Sequence, residues 1–171
     1  MTSGSSQENT LSVTEMISRA VKYYSSGNLD QAEGLLLQVI QVDPTHAVAS
    51  HLAGIIAYRT DRYALAVDLI AEAVRNSPGN FEAHENLGNA HRKMGNNAAA
   101  LTSYDNALEV KPGNAEGYNK LGNFLCSLGK KEEAVTRFQQ ALALKPDYLE
   151  VCNNLGNALQ DLGDHDRAVD C

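Results

Sequence analysis

The four prolines of the chain follow one interval. They are the only prolines among its 171 residues, and each lies 34 residues from the next: Pro44, Pro78, Pro112 and Pro146. Random placement would put the last three in phase with the first only about once in 40,000 cases. The chain therefore contains a repeat, and a repeat of this length is one supersecondary unit that buries its apolar face against its neighbours.

Four further columns of residues share this phase. They are the alanines Ala32, Ala66, Ala100, Ala134 and Ala168, the glycines Gly54, Gly88, Gly122 and Gly156, the residues Gly27, Asp61, Gly95, Gly129 and Gly163, and the large residues Leu36, Ile70, Tyr104 and Phe138. We expect the glycines of the second column to face the alanine column, so that two helix axes approach closely. A bulky side chain there would overpack the contact.

Each repeat is predicted to be a pair of helices. Tyr118, Leu121, Gly122 and Leu125 have the i, i+3, i+4, i+7 spacing of one helix face. Gly129 follows and ends this helix, since glycine adopts the left-handed conformation without cost. The second helix of each repeat ends before its proline, because the residue preceding proline is disfavoured in helical geometry. The unit is helix, turn, helix, turn. Asp61 can replace glycine at the first turn, because aspartate tolerates positive φ better than most residues.

These columns closely resemble the tetratricopeptide repeat over about residues 11–171. The resemblance implies an all-α superhelix, a solenoid of helical hairpins with 34-residue repeats, whose first helices line a concave groove. We predict a disordered tail at 1–10, followed by repeats at 11–46, which is divergent and cap-like, 47–80, 81–114, 115–148 and 149–171. The fifth repeat is truncated, because Cys171 falls inside its second helix. We therefore expect this chain to be a fragment of a longer protein.

Asparagines recur on the predicted groove face of the last three repeats. Asn89, Asn123 and Asn157 are 34 residues apart and are expected to form a ladder. The full set predicted to bind a peptide is Glu82, Asn86, Asn89, Lys93, Glu116, Asn119, Lys120, Asn123, Asn153, Asn154 and Asn157. An amide offers two donors and an acceptor, so it can pair with the backbone of an extended peptide. The alternative is a set of bonds between helices that only stiffens the stack.

The equivalent positions of the first two repeats are apolar. They are Ile17, Val21, Leu52 and Ile55, and they form either a hydrophobic anchor for a partner or a surface covered by the N-terminal tail. In the later repeats Glu82, Glu116 and Glu150 take positions where tetratricopeptide clamps for acidic chaperone tails use Lys and Arg. We therefore predict that the chain is not such a clamp.

Composition excludes several other functions. The formal net charge of -7 argues against a nucleic-acid surface, which needs clustered Lys and Arg, and against anionic lipid. No apolar run approaches the roughly 20 residues of a membrane span.

The glycines stand singly and form no phosphate-binding loop, and no catalytic, metal or cofactor site is predicted. Three cysteines without metal or redox spacing indicate reduced thiols and a cytoplasmic location.

The predicted function is a scaffold that binds a protein or extended peptide, and this chain itself is not an enzyme. An alternative follows from Asn-Leu-Gly-Asn at 86–89 and 154–157 and Lys-Leu-Gly-Asn at 120–123. This pattern resembles the N-terminal superhelix of bacterial O-linked N-acetylglucosamine transferases. The resemblance implies that a longer parent would transfer sugar from UDP-N-acetylglucosamine to Ser or Thr, with its catalytic domain missing here. The partner and the oligomeric state stay open.

Overall fold

The computed structural model describes residues 11–164, and this part of the chain contains helices and turns without strands. The chain divides into two compact units, Met1–Pro78 and Gly79–Cys171. The first unit contains α1 (Val13–Ser25), α2 (Leu29–Val42), α3 (Ala47–Arg59) and α4 (Tyr63–Asn76). The second contains α5 (Phe81–Lys93), α6 (Asn97–Val110), α7 (Ala115–Ser127), α8 (Lys131–Leu144) and α9 (Leu149–Asp161). The predicted tail at 1–10 and the end of the fifth repeat lie outside the described residues.

Within each unit the helices pair and stack as the period predicts. Helix α1 packs on α2 and α3 on α4, while α2 also contacts α3. In the second unit α5 packs on α6 and α7 on α8. Helix α7 also contacts α6, and α9 contacts α8. Each unit buries its own apolar core, one around Leu36, Val39 and Ile56 and the other around Leu121, Phe138 and Leu155. The predicted all-α solenoid of helical hairpins is confirmed.

The turns inside the hairpins use residues in the left-handed conformation. Their φ angles are 81° at Gly27, 60° at Asp61, 75° at Gly95, 75° at Gly129 and 80° at Gly163. The Tyr63 hydroxyl donates to the Asp61 carboxylate beside this strained backbone. The predicted substitution of aspartate for glycine in the second repeat is therefore confirmed.

The prolines mark the ends of the second helices. Each follows directly after the C-cap residue of its helix, the caps being Asp43, Ser77, Lys111 and Lys145. The next helix then begins within a few residues. The Asn80 and Asn114 side chains accept hydrogen bonds from the backbone N–H groups of Ala83 and Gly117, at 3.0 and 3.1 Å. Such caps satisfy donors that have no partner inside the helix.

The glycines of the first helices lie closest to large side chains of the second helices. A Cβ atom at Gly54 would lie 2.4 Å from Ile70, one at Gly88 2.7 Å from Tyr104, and one at Gly122 2.5 Å from Phe138. The nearest partner of each glycine is therefore a large residue, one helical turn after the alanine that we expected, while the expected overpacking by a bulkier side chain agrees with these distances. The reason is steric: in the second, third and fourth hairpins the second helix presents one large residue to the first helix, and glycine leaves room for it.

Candidate peptide-binding surface

The predicted amides lie on the first helices of the second unit, and we call them the asparagine face. Its members are Asn86 and Asn89 on α5, Asn119 and Asn123 on α7, and Asn153, Asn154 and Asn157 on α9. They differ in burial. Asn123, Asn153 and Asn157 are exposed, the two α5 residues and Asn154 are half-buried, and Asn119 is buried. The face therefore contains amides in different environments.

Asn119 joins α7 to α9. Its side chain is 3% exposed, and both ends of its amide have partners on the next first helix. The Asn154 amide donates to Asn119 Oδ1 at 3.0 Å, and Asn119 Nδ2 donates to Glu150 Oε1 at 2.8 Å. A buried amide is costly unless both ends are paired, as here. For Asn119 and Asn154, the structure thus shows bonds between helices.

Lys120 makes the equivalent link between α7 and α5. Its Nζ lies 2.8 Å from Glu85 Oε1 and 3.0 Å from Glu116 Oε1. Burial disfavours its charged form, but hydrogen bonds to Glu85 and Glu116 outweigh that effect and raise the pKa of Lys120. The Lys120–Glu85 and Asn154–Asn119 bonds each connect two neighbouring first helices, and in both the two residues are 35 positions apart in the sequence. The alternative raised from the sequence, bonds between helices, thus applies to Asn119 and Asn154, and the Lys120–Glu85 ion pair adds a link that the sequence did not indicate.

The ladder residues Asn89, Asn123 and Asn157 have two kinds of environment. Tyr104 donates from its hydroxyl to Asn89 Oδ1 at 2.8 Å, which ties this amide to α6. Asn123 and Asn157 occupy the same repeat position on α7 and α9. Both are exposed, and neither side-chain amide forms a hydrogen bond within residues 11–164. No partner within residues 11–164 therefore competes for these two amides.

Charged side chains border the asparagine face at the ends of its helices. Glu82, Glu116 and Glu150 are exposed in the first turns of α5, α7 and α9, where their charge also complements the helix dipole. Lys93 is exposed in the last turn of α5. Arg92 beside it places its guanidinium carbon 5.8 Å from the centre of the Phe124 ring. Negative charge thus recurs at the helix starts.

The two histidines of α5 pack against the hairpin. His84 is buried and His91 is half-buried, and burial lowers the pKa of His91. Among the residues that the structure describes, no group of three His, Cys, Asp or Glu side chains is placed to hold a metal ion. Likewise, no helix within residues 11–164 has the length and apolar character needed to cross a membrane.

Two family models match most of the chain. One, described as TPR repeat, matches residues 88–129 and 122–163, and one described as Tetratricopeptide repeat matches residues 18–81. The chain is a tetratricopeptide repeat protein. The family matches thus confirm the repeat that the 34-residue period predicted, and the chain is a scaffold of such repeats.

Several solved tetratricopeptide structures share this fold. The MamA protein matches with a TM-score of 0.83 at 22% identity, covering 92% of this chain and 86% of its own. YrrB, described as a TPR protein with an unusual peptide-binding site, matches with a TM-score of 0.79 at 21% identity, covering 93% and 82%. MamA from Desulfovibrio magneticus RS-1 gives a TM-score of 0.79 at 19% identity, covering 92% and 89%. A search of curated protein sequences found no match.

Proposed function

We propose that this tetratricopeptide scaffold binds an extended peptide along the asparagine face of its second unit. One observation carries the proposal. Asn123 and Asn157 are exposed, occupy equivalent positions on α7 and α9, and have side-chain amides without hydrogen bonds inside residues 11–164. The buried Asn119 bonds to α9 and holds these two helices together. The helices that carry the two exposed amides are therefore linked to each other before a peptide binds. Because the amides are already positioned, less entropy is lost on binding.

The chemistry of the amides suits a peptide backbone. Each peptide residue other than proline carries one N–H and one C=O, and an asparagine amide can accept from one and donate to the other. Packed helices lie about 8–10 Å apart, and an extended chain rises about 3.3 Å per residue. Amides on successive first helices would therefore meet backbone groups about three residues apart. Such contacts set direction and register without selecting side chains.

The charges beside the face favour a neutral or basic peptide. Glu82, Glu116 and Glu150 are exposed and stand at the starts of α5, α7 and α9, so an acidic ligand would be repelled along this edge. We therefore propose that acidic chaperone tails are poor ligands of the asparagine face. Lys93, at the opposite end of α5, is proposed to contact a carbonyl or carboxylate of the ligand. The similarity in fold to YrrB, described as having a peptide-binding site, supports an interaction role.

Substitution of the two exposed amides tests the proposal. Peptides selected from a displayed dodecapeptide library on the full chain should bind the Asn123→Ala/Asn157→Ala variant about tenfold more weakly, since two hydrogen bonds are lost. The matched control is Thr102→Ala/Thr136→Ala, which changes exposed residues at the same 34-residue spacing on the second helices. Equal loss in both variants, unchanged affinity in the first, or failure to enrich any peptide would contradict the proposal.

A second candidate function rests on the repeated Asn-Leu-Gly-Asn sequence at 86–89 and 154–157. We propose as the alternative that the chain is the substrate-recognition region of a glycosyltransferase similar to O-linked N-acetylglucosamine transferases. The gene sequence beyond Cys171 decides between the two: a nucleotide-sugar-binding α/β domain supports the transferase, and a stop codon opposes it. A cytoplasmic location is also proposed, supported by the free thiols of Cys126 and Cys152.

A further inference from the structure

The first helices of the first unit carry an apolar strip where the second unit carries asparagines. The apolar strip consists of Ile17 and Val21 on α1 and Leu52 and Ile55 on α3. Val21 is 44% exposed, and the other three are half-buried. Val21 and Ile55 stand at the repeat position of Asn89, Asn123 and Asn157. The two units therefore present different chemistry at the same position.

The two ends of the apolar strip have different surroundings. Ile17 and Leu52 pack against the same core cluster, and they stand 35 residues apart, the spacing of the polar links in the second unit. At the other end the Arg59 guanidinium carbon lies 4.9 Å from the centre of the Tyr24 ring. The strip therefore has the unit's core cluster at one end and, at the other, a cation on α3 that stacks on a ring of α1.

The charge around the apolar strip is the reverse of that on the asparagine face. Helices α1 and α3 contain one acidic residue, Glu15, and its carboxylate is held in a capping box by the Ser12 backbone and hydroxyl at 2.9 Å. Arg59 is exposed, stacks on Tyr24, and forms no ion pair with a carboxylate within residues 11–164. A carboxylate of a ligand could thus form an ion pair with Arg59 without displacing a carboxylate of residues 11–164.

We propose that the apolar strip binds a partner segment in which bulky apolar residues are followed directly by acidic ones. The apolar side chains would cover Val21 and Ile55, and the acidic residues would reach Arg59. The N-terminal tail does not fit this description, because Met1 is the sole apolar residue among residues 1–10. This binding surface is independent of the asparagine face, since it lies in the other unit and selects the opposite charge.

Three pools of acetylated, fluorescein-labelled dodecapeptides test this proposal on the full chain. The first carries two residues drawn from Leu, Ile and Phe followed by two Asp; the second replaces Asp by Lys, and the third replaces the apolar pair by Asn. Fluorescence anisotropy should show the first pool binding at least tenfold more tightly than the third and about threefold more tightly than the second. Equal binding of all three pools would overturn the proposal.

Variants locate the binding to the apolar strip. Val21→Asn/Ile55→Asn introduces the residue that later repeats carry at this position, and it should weaken the first pool about tenfold. Leu37→Asn/Leu65→Asn changes exposed leucines on α2 and α4 and should leave binding unchanged. Arg59→Gln, an exposed change that spares the core, should remove the preference for Asp over Lys. Undiminished preference in Arg59→Gln, or equal loss in the leucine control, would overturn the proposal.

Two other occupants give distinct results. A second copy of the chain on the apolar strip would appear in sedimentation as a dimer that Val21→Asn/Ile55→Asn dissociates. The tail would be identified if a synthetic peptide of residues 1–10 displaced the first pool. Either result would replace the partner segment as the occupant.

Discussion

At the residue scale, the close approach of the paired helices depends on single glycines. Gly122 lies on α7 where the ring of Phe138 on α8 crosses it, and Phe138 is fully buried. A Cβ atom at this position would lie 2.5 Å from the ring. Because the ring is enclosed by core residues, it cannot move aside without displacing its neighbours.

We predict that Gly122→Ala destabilises the fold by about 1–3 kcal/mol through overpacking. In an open helical site the same change stabilises a protein by about 0.5–1 kcal/mol. Gly34→Ala on α2 is the matched control, since no atom lies within 4 Å of its added Cβ. Urea unfolding followed by circular dichroism should therefore give opposite signs for the two variants. A gain in stability for both would contradict the packing described here.

A second prediction at this scale concerns pH. Burial lowers the pKa of His91 from its ordinary value of 6.5, and its Nδ1 has no hydrogen-bond partner within residues 11–164. The unfolded chain therefore binds this proton more readily than the folded one. The stability linked to neutral His91 is present above about pH 6.5 and is lost as the pH falls through the lower, folded-state value.

His91→Leu removes this titration, and leucine also occupies the equivalent positions 125 and 159. We expect the variant to be more stable than the wild type, with a difference in unfolding free energy that grows between neutral and mildly acidic pH. Urea unfolding at several pH values measures this difference. A difference that does not change with pH would show that His91 does not titrate as described.

At the element scale, the polar links decide how the first helices of the second unit are held. Asn119→Ala should cost about 1–3 kcal/mol, because Glu150 and Asn154 lose a partner and a buried bond is removed. Asn123→Ala, one helical turn away and exposed, should change stability by no more than about 0.5 kcal/mol. Urea unfolding compares them directly. Similar costs for the two variants would mean that Asn123 also has a structural role.

Much of the element scale was predictable from the sequence. Spacing alone located the helices, because apolar periodicity and turn residues are local signals. Asp61 was predictable for the same reason, since its conformation depends on one residue. The partner of Gly122 was not, because periodicity shows which positions recur and not which side chains meet across a hairpin.

The candidate site was predictable only in part. Asn119 and Asn123 lie on the same helix and look alike in sequence, yet one is buried and the other exposed. Their difference arises from contacts with a residue 35 positions away, and such non-local pairing leaves no local signal. The sequence therefore identified the asparagine face but could not separate its supporting amides from those that we propose to bind.

At the scale of the whole molecule, one repeat supports two surfaces of different chemistry. The first unit presents the apolar strip beside Arg59, and the second presents exposed amides bordered by glutamates. Both are built on the first helices, whose opposite sides pack into each unit's core. The residues that stabilise the fold are thus different from those that form the exposed surfaces. This is typical of repeat proteins, in which stability comes from packing between neighbouring repeats.

The most direct test of the central proposal observes the two exposed amides themselves. Nuclear magnetic resonance of the nitrogen-15-labelled full chain resolves asparagine side-chain NH2 signals, and Asn123→Ala and Asn157→Ala assign those of interest. On titration with a selected neutral dodecapeptide, we expect both pairs of signals to shift and become protected from exchange with solvent, while that of Asn119, already bonded, stays protected throughout. Saturable peptide binding that leaves the Asn123 and Asn157 signals unchanged would contradict the account.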